Sequence, residues 1–178
     1  MQSVEEDRVN RKLRRIEKYD VSTINSWRNQ RELIAHLGTT FRYVSLEREY
    51  EWFEQVNRKA ETQIRLVIEV DARAIGLVSL TQIDYLNGSA ELSIMIGDSS
   101  DREGGVGGWA VKSLVSHAFN DLRLNRVWLT LLSDNARALR TYRSAGFREE
   151  GIMRKVVYKE GQFRDLKIMA ILREECDY

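Results

Sequence analysis

The chain has 178 residues, 43% of them hydrophobic and 31% charged, with 28 lysines and arginines against 27 aspartates and glutamates. That length suits one domain with an ordinary core, and a net charge of +1 supplies no global field toward nucleic acid or an anionic membrane. The apolar runs, such as Val127 to Leu132, are too short to cross a bilayer; the charged stretch from Glu5 to Arg15 is unlike a signal peptide; and a single cysteine, Cys176, leaves no internal disulfide and no Cys/His metal cluster. These features predict a cytoplasmic protein.

Residues 1–10 are polar and read as a frayed lead-in to a single domain over residues 11–178. Leu13 to Ile16 suits a short first strand. Asp20 is placed to cap a helix carrying Val21, Ile24, Trp27 and Ile34 at a helical period. Ser45 is placed to cap a second helix, with Glu47 and Glu49 in its first turn, where the helix dipole favours anions. Tyr50, Phe53 and Val56 are its predicted buried face. The chain contains no proline, so its breaks fall to glycine, asparagine, aspartate and serine. The period then changes to two. Ile64 to Val70 and Ala74 to Leu80 read as strands around the turn Asp71-Ala72-Arg73. After the turn signal Asn87-Gly88, Ala90 to Ile96 alternates, with Leu92, Ile94 and Ile96 on one face and Glu91, Ser93 and Met95 on the other. Val106 to Asp121 is amphipathic, with a stripe of Val111, Leu114, Val115 and Ala118. Arg126 to Leu132 reads as a buried strand. Asn135 to Ser144 is a short helix stopped by Gly146. Val156 to Lys159 and Leu166 to Leu172 flank Glu160-Gly161 as a last hairpin. The order predicts an α/β (α+β) fold with one mixed sheet and helices on both faces.

Chemistry concentrates in Arg102-Glu103-Gly104-Gly105-Val106-Gly107-Gly108, which follows a strand and opens a helix. Glycines let the backbone turn sharply and let a ligand approach its N–H groups. A helix N-terminus adds unpaired donors and partial positive charge, so the loop suits an anion such as a pyrophosphate, with Arg102 as its cation. The alternative is a plain connector that starts a helix. No Gly-Lys-Ser/Thr follows, which excludes a P-loop, and the third spaced glycine of a dinucleotide fingerprint is missing.

The segment resembles motif A of the GNAT superfamily of N-acetyltransferases, whose Gln/Arg-x-x-Gly-x-Gly/Ala pattern is met by Arg102, Gly105 and Gly107. Asn135, Ala138, Tyr142, Gly146 and Phe147 resemble the family's Asn-x-x-Ala-x-x-x-Tyr-x-x-x-Gly-Phe. Gly151 and Arg154, then Tyr158, Gly161, Asp165 and Met169, resemble the branch that holds ribosomal-protein N-terminal acetyltransferases and relatives acting on small amines. The resemblance implies a mostly antiparallel central sheet of about six to seven strands, with acetyl-coenzyme A as acyl donor and no metal. The chain departs from its branch at Glu103, which puts a carboxylate beside the anion site, and at Trp109, where a glutamate is common and core packing is the expected role, with a substrate lid as the alternative.

Acetyl transfer needs a neutral amine, and an ammonium of pKa about 10.4 must first lose a proton. The resemblance places a base on the strand before the loop, where Glu91 stands; the alternative is an ordinary strand carboxylate. It places the proton donor for the departing thiolate at Tyr142; the alternative is a buried tyrosine packed on the sheet. It also implies that the backbone of Ile94, Met95 and Ile96 holds the pantetheine arm and that Gly104, Gly105, Val106, Gly107 and Gly108 hold the pyrophosphate. Asn135 ties the next strand's end to that arm, caps a helix, or does both, with Ala138 beside it. His117 falls on the polar side of its helix and reads as a surface residue. His36 lies near the end of the first helix, bordering the expected acceptor region. The run Arg8, Arg11, Lys12, Arg14, Arg15 reads as a solvated face, or as a contact for a phosphate-bearing acceptor or RNA.

The reading is direct acetyl transfer to a primary amine of a small molecule, with a nucleotide-linked amino sugar as one candidate. The alternatives are a protein N-terminus, such as that of a ribosomal protein, and a non-catalytic acyl-coenzyme A-binding module. No membrane or nucleic-acid partner is expected, and a homodimer is compatible with the sequence.

Overall fold

The computed structural model describes residues 9–59, 61–98, 100–102 and 104–178, apart from the side chain at position 102. Arg8 and Glu103 therefore lie outside the described residues, as does the side chain of Arg102. In chain order the elements are β1 (Arg11–Arg15), α1 (Val21–Arg28), α2 (Arg31–Ala35), α3 (Leu46–Arg58), β2 (Ile64–Val70), β3 (Arg73–Asp84) and β4 (Ser89–Ile96). Then come α4 (Val106–Asn120), β5 (Arg126–Leu132), α5 (Ala136–Ser144), β6 (Arg148–Lys159) and β7 (Gln162–Leu172). Among the described residues the strands form one seven-stranded sheet in the order β1-β2-β3-β4-β5-β7-β6. Neighbouring strands run antiparallel except β4 and β5, which are parallel and joined through α4. A parallel pair needs such a crossover, whereas antiparallel neighbours need only a turn. The β2–β3 turn is of that tight kind, with Asp71 and Ala72 both left-handed at φ 48° and 62°.

The sheet's alternation sorts two cores. Leu92 of β4 joins Val78, Leu80, Val127 and Leu129 under Ala110, Val111, Leu114 and Val115 of α4, and Tyr142 and Ala145 bring α5 to the same face. Val67 and Leu77 look the other way, onto Val21, Ile24 and Trp27 of α1 and Phe53 of α3. Burying each such aliphatic side chain contributes about 1.5–3 kcal/mol. The mixed, mostly antiparallel sheet with helices on both faces is the predicted architecture.

Several local expectations are corrected. The helix predicted across Val21 to Ile34 is two helices, broken at Asn29. The Asn29 side chain accepts from Val44 N at 3.0 Å and donates to Val44 O at 2.8 Å, tying the α2–α3 connection to the end of α1. Asparagine competes for backbone partners in this way and so ends helices. Asp20 does not cap α1 with its side chain. It lies in a helical turn, and its carboxylate turns back to accept from Arg14 Nη1 at 2.7 Å, Arg14 Nη2 at 2.9 Å and Glu17 N at 2.8 Å. A capping side chain normally requires extended backbone at that residue, and Asp20 has φ −77° and ψ −21°. On α3 the buried face is Glu49, Phe53 and Val56, while Tyr50 is exposed. Positions i, i+4 and i+7 share a face, so the helical period selects Glu49 and turns Tyr50 away. Ser45 caps α3 as predicted, accepting from Arg48 N at 3.3 Å. The last hairpin is longer than predicted at both strands, and Asn10 is tied to Asp71 by a 2.9 Å hydrogen bond at each end.

Candidate acyl-transfer site

β4 and β5 pair at three positions, Ser89 with Arg126, Ala90 with Val127 and Glu91 with Trp128, and then part. A cleft of about 1130 Å³ opens there. Its walls are Glu91 to Ile96 on β4, Thr130 to Leu132 on β5, Gly107 on α4, Asn135 to Ala138 with Thr141 and Tyr142 at α5, and His36 to Thr40 after α2. Ile94, Met95, Ile96, Gly107, Asn135, Ala138, Glu91 and Tyr142 are thus brought to one cleft.

The loop before α4 shows why its residues are glycines. Gly104 and Gly105 adopt φ +75° and +72°, a left-handed conformation that other residues resist. Among the described residues, a Cβ on either would meet nothing within 4 Å, and one on Gly107 would meet only Ile94 Cδ1, at 3.8 Å. The first intrahelical bond runs from Trp109 N to Gly105 O, so the amides of Val106, Gly107 and Gly108 precede it as the helix's unpaired donors. Open space above the loop and a row of donors fit a pyrophosphate. The Val106 side chain is 4% exposed and belongs to the core, so only its backbone is available. Trp109 packs against the same core, as expected. Arg11 donates to Gly104 O at 3.0 Å, and Arg73 holds Asp101 through a two-pronged pair at 2.9 and 2.5 Å, so the loop is braced from β1 and β3.

Asn135 satisfies both ends of its amide. Its Oδ1 accepts from Ala138 N at 3.0 Å, capping α5, and its Nδ2 donates to His36 O at 3.0 Å. It therefore fixes the α5 wall to the residues after α2. Tyr142 is 7% exposed, beside Phe147 at 5.8 Å between ring centroids. Burial pushes its hydroxyl up to about 12, so it stays protonated throughout the neutral range. Glu91 is half-buried. Its Oε2 accepts from Gln82 Nε2 at 2.6 Å and from Thr81 Oγ1 at 3.4 Å. Gln82 reaches it because the β3–β4 register shifts after Thr81 and Gln82 takes φ 50°, a bulge that re-aims its side chain. Glu91 also borders a second, more open trough with Trp128, Met153 and Ile168.

Two functional neighbours were not read from the sequence. Gln82 carries no local signal, because its reach depends on the bulge. Lys159, at the end of β6, is 6% exposed and donates to the carbonyls of Ile34, Leu37 and Thr39 at 2.7, 2.7 and 2.6 Å. It clamps the segment that forms one wall of the cleft; burial lowers its pKa. His36 caps the end of α2 and lines the cleft. His117 lies within 2.6 Å of Asp121 on α4. Arg14 and Lys12 pair with Glu69, and Arg14 with Asp20, so these members of the basic run are engaged in ion pairs. Cys176 packs against the larger core. Among the described residues no three His, Cys, Asp or Glu side chains gather as a metal site, and no helix is long and apolar enough to cross a membrane.

With this geometry in hand, similarity to known proteins is informative. The acetyltransferase (GNAT) domain family matches residues 11–148. The spermidine N(1)-acetyltransferase of Vibrio cholerae is 27% identical over 170 residues, covering 92% of this chain and 93% of its own. A Bacillus subtilis protein designated a ribosomal N-acetyltransferase, YdaF, is 30% identical over 107 residues, covering 60% of this chain and 58% of its own. The crystal structure of the Vibrio cholerae spermidine N-acetyltransferase with CoA and spermine superposes at a TM-score of 0.86 and 26% identity, covering 93% of this chain and 96% of that one. The dodecameric structure of that enzyme in an intermediate state gives 0.79 at 28% identity, covering 92% and 94%.

Proposed function

The chain belongs to the GNAT acetyltransferase family, and on that premise we propose that its acceptor is the primary amine of a small molecule, attacked directly in a ternary complex. The protein is an N-acetyltransferase that moves an acetyl group from acetyl-coenzyme A to an amine. When bound, acetyl-coenzyme A supplies the acyl group as a reactive thioester. The amides of Val106, Gly107 and Gly108, at the helix start that Gly104 and Gly105 lead into, hold its pyrophosphate, and the sequence motif assigns Arg102, whose side chain lies outside the described residues, as the matching cation. The backbone of Ile94, Met95 and Ile96 holds its arm, opposite Asn135 and Ala138.

Glu91 takes the amine's proton, through water or directly. Gln82 and Thr81 fix which way the carboxylate points. Tyr142 donates a hydrogen bond from its hydroxyl to the departing thiolate, and its raised pKa keeps the hydroxyl neutral as the thiolate forms. The observation that carries the proposal is that Glu91 and Tyr142, on different elements, face one cleft at the point where β4 and β5 part.

The names of the full-length relatives support a small amine, with spermidine as the first to test. The likeness to YdaF supports a protein N-terminus as the second reading. No relative described above supports a nucleotide-linked amino sugar. Residues 11–178 are taken as one domain in a cytoplasmic protein. The dodecamer formed by the Vibrio cholerae enzyme supports self-association here, with a homodimer as its smallest unit. A thiol-release assay with spermidine, spermine, amino acids, simple alkylamines and short peptides tests the proposal. Turnover of a free amine is expected; acetylation of peptides alone would overturn it.

A further inference from the structure

Among the charged residues that line the cleft are two arginines, on the Glu91 face of the sheet, that acetyl transfer itself does not use. Arg65 on β2 lies opposite Ser79 on β3, and Ser79 opposite Ser93 on β4, so the three form one row across the sheet. Glu91 stands two residues from Ser93, on the same face of β4. Arg28, at the end of α1, reaches this region from the helix layer. Its Cζ lies 4.0 Å from the centroid of the Trp52 ring, and that of Arg65 lies 5.7 Å from it. One indole thus holds both guanidinium groups, at most about 10 Å apart. Both arginines line the cleft together with Ser79, Ser93 and Glu91.

The two cations are not equally balanced. Arg28 has Glu49 behind it, fully buried, with Nη1 and Oε1 3.2 Å apart. Arg65 contacts Gln63 Oε1 at 3.1 Å and the indole face, both neutral, and among the described residues no carboxylate lies within ion-pair distance of it. Burial lowers the pKa of each guanidinium, and the charge of Arg28 lowers that of Arg65 further, while Glu49 and Glu91 offset this in part for Arg28 and Arg65 respectively. Arg65, half-buried beside a second cation and with no carboxylate in direct contact among the described residues, gains from a further anion seated between the two guanidinium groups. A planar guanidinium fork suits the oxygens of a carboxylate or a phosphate.

We propose that Arg65 and Arg28 form an anion subsite, and that the acceptor is an amine bearing a carboxylate or a phosphate monoester, its anion on the guanidinium groups and its amine at Glu91. The proposal rests on the small-amine reading and narrows it. The row from Arg65 to Ser93 spans two strand spacings, about 10 Å between Cα atoms, and the long arginine side chain shortens that gap, so the acceptor's spacer is short. A polyamine presents a cation wherever it would meet Arg65, and so separates this chain from relatives that take spermidine.

Matched amines test it: 4-aminobutyrate against butylamine for the carboxylate, and phosphoethanolamine against ethanolamine for the phosphate, with spermidine as the polycation. In the native enzyme with acetyl-coenzyme A, kcat/KM for the anionic member of one pair should exceed that of its neutral partner about tenfold or more, through KM. Arg65→Gln should collapse that ratio, and Arg65→Lys should restore part of it. A merely structural role for Arg65 would lower both members together and leave the ratio intact, which would overturn the proposal. A parent preference for spermidine or for the neutral amines would also overturn it. If no free amine is acetylated, the small-amine reading fails, and the subsite is read alone by calorimetric titration of butyrate and inorganic phosphate into the coenzyme A-loaded protein. Binding that Arg65→Gln abolishes supports the subsite; no binding to the parent refutes it.

Discussion

Replacing Lys159 by methionine would test whether the acceptor wall is held from the far hairpin. The change keeps the length of the side chain and removes the ammonium. Three carbonyls, of Ile34, Leu37 and Thr39, then lose donors at 2.7, 2.7 and 2.6 Å. A hydrogen bond to a charged group contributes about 1.5–3 kcal/mol, but the desolvation of a buried ammonium offsets part of that. The orphaned carbonyls can also regain water if the segment opens, which caps the loss at the cost of opening. A net destabilisation of about 2–4 kcal/mol follows. For a chain of this length that corresponds to a fall in Tm of about 5–15 °C. The functional effect is more specific. Residues 36–40 line the cleft, and among the described residues two further side-chain hydrogen bonds hold them: Asn135 Nδ2 to His36 O at 3.0 Å and Thr40 Oγ1 to Tyr158 O at 3.2 Å. The variant should therefore raise KM for the amine more than for acetyl-coenzyme A, and hydrogen exchange should quicken at residues 36–40. Calorimetry, steady-state kinetics with each substrate varied, and exchange mass spectrometry read the three effects. An unchanged Tm with an unchanged amine KM would refute the clamp.

Glu91→Gln should lower kcat about 10²–10⁴-fold at neutral pH, with a deficit that shrinks at high pH where the free amine is abundant; a flat pH profile of the deficit would mean positioning rather than proton removal. Gln82→Ala removes the 2.6 Å donor to Glu91 and should lower kcat up to about tenfold with unchanged affinity for acetyl-coenzyme A; no loss would leave the bulge a feature of the fold alone. Tyr142→Phe should lower turnover while binding of acetyl-coenzyme A holds. It should also change the alkaline limb of stability: a hydroxyl raised from 10.0 to about 12 by burial contributes stability that is complete below pH 10 and is lost as pH rises through about 12. The parent should thus lose stability across that window faster than the variant, as followed by denaturant unfolding at stepped pH. Gly107→Val adds a Cβ whose nearest neighbour is Ile94 Cδ1 at 3.8 Å, so the fold should persist while the branched side chain blocks approach to the loop and weakens acetyl-coenzyme A binding about tenfold or more by calorimetry.

What could be read from the sequence was what is encoded locally. The α4 stripe, the α5 cap at Asn135 and the facing of Leu92 against Glu91 each need only a few consecutive residues, and each stands where the pattern puts it. The misplaced features share a different cause. The helix over Val21 to Ile34 is broken by Asn29 because Val44, fifteen residues on, offers the partners. Asp20 abandons α1 for Arg14, six residues back across a turn. Glu49 displaces Tyr50 from the buried face, an outcome hydropathy opposes; Arg28 across the helix pair partly compensates the carboxylate, whose pKa burial still raises.

The site divides along the same line. Alternation shows that Glu91 points away from the α4 core, but not how far the neighbouring strand stands. That distance comes from a parallel pairing that ends after three positions, and periodicity within β4 or β5 carries no trace of it. The motif around Asn135 and Tyr142 marks residues that face the resulting gap. The residues that tune it come from elsewhere: Gln82 through a bulge, Lys159 from a hairpin 120 or more residues from the carbonyls it holds, and Arg28 and Arg65 from two elements meeting on Trp52. The transfer chemistry thus rests on compact motifs that survive as strings, whereas acceptor choice rests on side chains gathered from distant elements. Each of the latter can be exchanged singly without breaking a motif, which is how one fold with one acyl donor can serve different amines.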